Sequence, residues 1–276
     1  MKRKQLNHIN NRQHKKLEEQ FERIAENCTI ENIHQLRVAY KKLRAFVRMV
    51  SQRNETSREI KIAKKIKTAY AVSGTIRDLQ LQRQRILKAV KGDPEKPHEY
   101  LTLLQKDIYQ LKPVLLAIHF KKIIAESRKK MAATMPNNFW VTHFKLFAQQ
   151  KWAVIHSIIT SGNFNDDNMH SIRKNLKDLF YNLALYKGVE HKKLLHSVAN
   201  GKEEQYFEEL IDELGNFQNK CMAVSLLKPY QLSRVSQHNW VLLEKIKKRW
   251  IKEKGGMKRL LVKQLKATIT PLKIKE

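Results

Sequence analysis

Residues 33–50 read IHQLRVAYKKLRAFVRMV, a run with three arginines, two lysines and one histidine but no acidic residue. Arginine offers planar forked donors to phosphate oxygens, lysine a point charge, and histidine a donor whose charge changes near neutrality. These types suit the holding of a polyanion. They do not suit bond breaking, because no acid and no metal ligand accompanies them. Projected on a helix from Ile33, Arg44, Arg37, Arg48, Lys41 and His34 fall at about 20°, 40°, 60°, 80° and 100°. Ile33, Leu36, Ala39, Tyr40, Leu43, Phe46, Val47 and Val50 fill the adjoining arc. The cationic stripe therefore borders a core-facing side and belongs at the mouth of a groove, with Lys42 outside it at about 180°. Like charges at these spacings cost a few tenths of a kcal/mol per pair, a cost that a merely solvated face does not require.

The pattern recurs. HQLRVAYKKL from His34 aligns without a gap to HSIRKNLKDL from His170, 136 residues later, so that His170, Arg173 and Lys177 repeat His34, Arg37 and Lys41. Phe180 and Ala184 stand where Arg44 and Arg48 stand in the first copy, which makes the second stripe the weaker. A second pair of landmarks follows at a similar distance, SGTIRDL around Gly74 and LGNFQNK around Gly215. The chain reads as a duplication.

The elements that must position these residues are helices. Apolar residues recur at three- and four-residue spacing, and eight glycines and six prolines are few for 276 residues. The spacing predicts an all-α chain with helices over about 7–26, 31–52, 56–91, 96–131, 138–161, 166–187, 202–227 and 236–268. Turn chemistry marks the breaks: GDPEKP at 92–97, MPNN at 135–138 as a hinge between halves, and SGNFNDDN at 161–168. The Gly255–Gly256 pair is expected to interrupt the last helix.

Lys and Arg number 55 against 26 Asp and Glu, a formal net charge of +29 that calls for an anionic partner: a phosphate polymer, nucleic acid or an anionic membrane surface. The two cysteines, Cys28 and Cys221, form no CxxC and no zinc-type spacing, so neither a disulfide framework nor a metal or other cofactor is expected. No long uncharged apolar run occurs, and a soluble, cytoplasmic protein without membrane insertion is expected.

HQLRVAYKKLR followed by SGTIRDL, with HSIRKNLKDL and LGNFQNK as a second copy, resembles the CHAD family, the histidine-bearing α-helical domain, over nearly the whole chain. The resemblance implies one domain over 1–276 made of two four-helix bundles, 1–135 and 136–276, related by a pseudo-twofold axis. It also implies a central basic cavity that binds inorganic polyphosphate through His34, Arg37, Lys41 and Arg44 in the first half and His170, Arg173 and Lys177 in the second. Two departures from the family pattern are Phe180, where an Arg is usual, and Asn219, where an Asp is usual. No triphosphate-tunnel domain precedes the module in this sequence, so a hydrolase in the same chain is not expected.

Arg48 belongs to the stripe by its angle, and Arg77, adjacent to Asp78, could reach the same anion while Asp78 orients a neighbouring cation or forms an ordinary ion pair. Gly74 and Gly215 each cost about 1 kcal/mol relative to Ala inside a helix, which close helix packing would explain. Residues 245–266 hold ten Lys or Arg and one Glu, with Lys245, Lys248, Arg249 and Lys252 opposite Leu243, Ile246 and Trp250. That pattern fits either a solvated face or a second anion-binding face, and REIKIAKKIK at 58–67 is similar in kind. The expectation is non-catalytic polyphosphate binding. A basic helical nucleic-acid-binding protein is the alternative, although zinc-finger spacing, an RRM signature and basic-zipper heptads are all lacking. A polyphosphate-processing enzyme using His34 or His170 is a third reading.

Overall fold

The computed structural model describes residues 1–53, 60–92, 95–199, 202–229 and 233–268. Among them the fold is all-α, with helices α1 (Arg3–Glu26), α2 (Ile30–Val50), α3 (Lys64–Ala89), α4 (His98–Leu116), α5 (Phe120–Ala133), α6 (Val141–Ser161), α7 (Asp166–Leu183), α8 (Gly188–Val198), α9 (Glu204–Ser225) and α10 (Gln237–Thr268). The two stripe-bearing helices start on side-chain caps. Thr29 Oγ1 accepts from the Asn32 N–H at 3.1 Å, and Asn165 Oδ1 from the Asn168 N–H at 2.7 Å. Acidic residues occupy both first turns, Glu31 in α2 and Asp166 and Asp167 in α7, where the helix dipole favours them. Each cap is worth about 1 kcal/mol and fixes where its stripe begins.

The eight apolar residues of the α2 arc are all buried, as the projection requires. That face packs α2 against α1, α3 and α7, while α7 packs against α6, α9 and α2. With α4 on α3 and α10 on α9, the neighbour order α1–α2–α3–α4 recurs as α6–α7–α9–α10. At the α2–α7 contact, fully buried Asn182 donates Nδ2 to the Ala45 carbonyl at 2.9 Å and to the Asp178 carbonyl at 2.8 Å. Arg48 Nη1 lies 2.7 Å from Asp178 Oδ2, with Lys151 Nζ 3.6 Å away on the same oxygen. Asp178 is 3% exposed, and a buried carboxylate left unpaired would cost several kcal/mol, which these cations offset.

Four plus four is not the count. The helix read over 96–131 is two, because Pro113 removes an N–H from the ladder; α4 closes on the Ala117 N–H to Pro113 carbonyl bond, and α5 starts after His119. The short α8, held by Leu194 and Val198, falls in the stretch between 187 and 202 that was read as connection. α3 begins at Lys64; residues 56–59 of the expected helix lie outside the described residues, and 60–63 are non-helical chain that buries Ile60 and Ile62. α1 begins four residues early, since Gln5 Oε1 accepts from the Lys2 N–H. MPNN is clamped rather than hinged: Lys2 bridges Asn138, and the Arg3 N–H bonds the Asn137 carbonyl at 2.8 Å.

Gly255 and Gly256 do not interrupt α10, which runs through them unbroken. Their cost of about 1 kcal/mol each is outweighed by the burial of Trp250, Leu261 and Leu265 on either side. Among the described residues no helix is long and apolar enough to cross a membrane.

Candidate anion-binding cavity

Where α2, α3, α7 and α9 meet, a cavity of about 660 Å³ opens. Of the nine residues singled out from the sequence, eight line it: His34, Arg37, Lys41, Arg44, Arg77, His170, Arg173 and Lys177. Residues 136 positions apart in the chain thus share one wall space. Arg48 is the exception, being turned to Asp178 at the helix crossing. The wall also includes Tyr70, Lys174, Tyr181, Asp212 and Asn219, which the sequence reading left out of the site.

The two arginines are seated by the same device. Arg37 Nη1 donates to the Tyr70 carbonyl at 2.7 Å, and Arg173 Nε to the Ile211 carbonyl at 3.2 Å. Tyr70 and Ile211 each lie four residues before a landmark glycine, Gly74 or Gly215. A helical Cβ leans toward the N-terminus over the preceding turn. Glycine leaves that turn bare, so its carbonyl can accept a second donor. A β-carbon at Gly74 would overlap the Arg37 guanidinium, and one at Gly215 would lie 2.8 Å from Arg173 Nη2. The glycines were read as allowing close helix packing; what approaches is a side chain.

This geometry separates stability from binding. In a Gly74→Ala, Gly215→Ala double variant, helix propensity gains about 1 kcal/mol per site, while the displaced guanidinium ends are flexible and can swing aside. The thermal midpoint is expected to hold or rise while anion affinity falls several-fold. Calorimetry and titration on the same sample check both halves, and a parallel loss of stability and affinity contradicts the account.

Aromatic rings hold the cations from behind. The Arg37 Cζ lies 4.4 Å from the Tyr70 ring centre and the Arg44 Cζ 5.6 Å from it, and Tyr70 stacks on Tyr40 at 4.1 Å. Lys177 Nζ bonds the Tyr181 hydroxyl at 3.3 Å. Among the described residues, no carboxylate lies within ion-pair distance of Arg37, Lys41, Arg44, Arg77, Arg173 or Lys177. His34 Nδ1, Arg44 Nε and Arg77 Nε are buried without any hydrogen-bond partner. Asp78 sits among Arg37, Arg77 and Arg85 without an ion pair to any of them, and burial raises its pKa against their pull. The ordinary ion pair considered for Asp78 in the sequence is not formed, while its first charge interaction is with Arg37, a cation of the preceding helix.

Burial and crowding shift the pKa values of these groups. Burial, then Arg37, Lys177, Arg173 and Arg77, pulls the Lys41 ammonium down to about 6. Burial and Arg173 bring Lys177 to about 8, against the opposing pull of Asp212. His34 is lowered by burial, Arg77, Lys41 and Lys177, with Glu31 opposing; His170 by partial burial, Arg173, Lys174, Lys41 and Arg44. Burial is the first cause in each case, and the repulsion of neighbouring cations adds to it.

The second half departs as its sequence suggests. Phe180 is buried and stacks on Phe207 at 5.0 Å, so the position that carries Arg44 in the first half serves the core here. Lys42, outside the stripe, borders a neighbouring cavity of about 480 Å³ with Arg12 and Lys16, and this cavity shares Lys177, Tyr181 and Asp212 with the main one.

Fold and site together define an all-helical protein whose cation-lined cavity is assembled from two copies of one helix motif. The CHAD domain model matches residues 9–228, and the chain belongs to the CHAD domain family. The match stops short of α10. No curated protein and no solved structure matches the chain.

Proposed function

We propose that the protein binds inorganic polyphosphate in this cavity and performs no chemistry on it. The observation that carries the reading is the convergence of His34, Arg37, Lys41, Arg44, Arg77, His170, Arg173 and Lys177 on one cavity, where none of the six lysines and arginines among them is ion-paired to a carboxylate of the described residues. A bound polyanion would supply the counterions that the lowered Lys41 and Lys177 pKa values lack, and forked guanidinium donors match phosphate oxygens. Membership of a family that binds polyphosphate points the same way. A nucleic-acid duplex, with bases stacked between two phosphate rows, does not fit a space of 660 Å³ and could meet only the outer surface. The cytoplasm, in association with polyphosphate granules, is where such a binder would act.

Competition titration with long-chain polyphosphate, double-stranded DNA and RNA at physiological salt tests the reading. Polyphosphate is expected to win, with affinity falling steadily as salt rises because condensed counterions are released on binding. Tighter binding of either nucleic acid sinks it, and orthophosphate accumulating in the mixture contradicts the non-catalytic part.

A further inference from the structure

α10 lies beyond the residues that the family model matches, packs on α9 and α4, and runs 32 residues without a break. Its buried side is Leu243, Ile246, Trp250, Leu261 and Leu265. On the opposite side Lys245, Lys248, Lys252, Arg259 and Lys263 are all exposed and fall within about 60° of one another round the helix. Of the other cations of α10, Lys247 pairs with Glu244, Lys254 and Lys258 share Asp166, and Arg249 faces Glu253, while exposed Lys266 continues the stripe at the angle of Lys248 with its Nζ 5.8 Å from the Phe164 ring centre. Among the described residues the five on the stripe have no acidic partner. The charge that is left free is the charge that lies in a row.

A second observation falls on the same row. Gly255 and Gly256 occupy the gap between Lys252 and Arg259, and packing does not ask for them. A β-carbon at Gly256 would meet nothing, and one at Gly255 only Arg259 Nη1 at 3.9 Å. Bare backbone there keeps the path from Lys252 to Arg259 clear of side chains.

We propose that this stripe is a second, outer track for the same polymer, holding a stretch of extended polyphosphate that the cavity does not enclose; it rests on the polyphosphate reading of the cavity. The row spans about 27 Å from Lys245 to Lys263, and one line of cations fits one line of phosphates. A helix lying in the major groove of a duplex meets phosphate rows on both flanks, which a 60° stripe cannot serve. Single-stranded nucleic acid is held by interleaved aromatic rings, and the stripe has none. The apolar side of α10 faces α9 and α4 and is not available to a bilayer.

The test uses the full chain with two probes, tripolyphosphate and long-chain polyphosphate. In a Lys245→Glu, Lys252→Glu, Lys263→Glu variant, long-chain affinity is expected to fall about tenfold or more, with a shallower salt slope, while tripolyphosphate affinity is unchanged. A control with exposed Lys129, Lys145 and Lys193 reversed on three other helices is expected to lose much less. Unaltered long-chain affinity in the first variant, or equal losses in both, overturns the outer track and leaves the cavity reading standing. Failure of the unaltered protein to bind either probe removes both readings together. A stripe variant that loses single-stranded RNA binding more steeply than polyphosphate binding assigns the row to nucleic acid and overturns the proposal.

Discussion

Reversing Arg44 and Lys177 to glutamate is expected to lower polyphosphate affinity about a hundredfold or more, because two wall charges then repel the ligand from inside a low-dielectric space. The two residues come from different halves and face one cavity. Neither side chain carries a buried ion pair, so the fold should tolerate the change, which far-UV circular dichroism would verify. The matched comparison reverses exposed Lys129 and Lys145, outside the cavity, and alters net charge equally. Here the loss should be no more than a few-fold, since exposed charges are screened over about 10 Å at ordinary salt. Similar losses in the two variants would mean that the ligand reads total charge, and the cavity would lose its claim.

The other large effect is on pH, and its sign can be worked out from Lys41. In the free protein this ammonium titrates at about 6, far below the 10.5 of an ordinary lysine. A bound polyanion favours the charged form and raises that value, so binding takes up a proton in the interval between the free and bound pKa. Affinity gained this way is complete below pH 6 and disappears above the bound pKa; each unit of separation is worth about tenfold. His34 and His170, also lowered in the free state, add to the same trend. Folding stability of the free protein runs the other way. Between about 6 and 10.5 the unfolded chain holds a Lys41 proton that the folded chain has released, so stability rises with pH. Titration and thermal melts across pH 5.5 to 8 should therefore trend oppositely, and Lys41→Met should flatten both. If Lys41→Met leaves the affinity profile intact while His34→Ala with His170→Ala abolishes it, the imidazoles carry the coupling instead.

The stripe was legible in the sequence because angle and burial are set by the same 100° step, which is why eight of the nine singled-out residues reach the cavity. Arg48 shows what a projection discards. It lies close in angle to Arg37 but eleven residues further along, about 16 Å, where α7 offers Asp178 and its guanidinium is taken up in an ion pair. The glycines were visible as a cost and misread in partner, since only the packed helices reveal that a guanidinium fills the space. Lys174, Tyr181 and Asp212 escaped because they have no counterpart in the first repeat: Val38, Ala45 and Ala71 stand there. The break after Pro113, inside the single helix expected over 96–131, was missed for a different reason. Proline in a last turn lets the helix run three more residues before it stops.

The bond between Arg48 and Asp178 has a counterpart that cannot form. In the repeat register Arg48 corresponds to Ala184 and Asp178 to Lys42, so the mirror-image strut would join a methyl group to an ammonium. One side of the α2–α7 crossing is bolted, while on the other Lys42 and Ala184 line the smaller cavity that shares Lys177, Tyr181 and Asp212 with the main one. An assembly of two identical subunits would have had both sides bolted or both open. Joining the copies in one chain would free them to diverge, and here the two sides of the crossing differ: one is tied by an ion pair, while the other is left as lining of the smaller cavity.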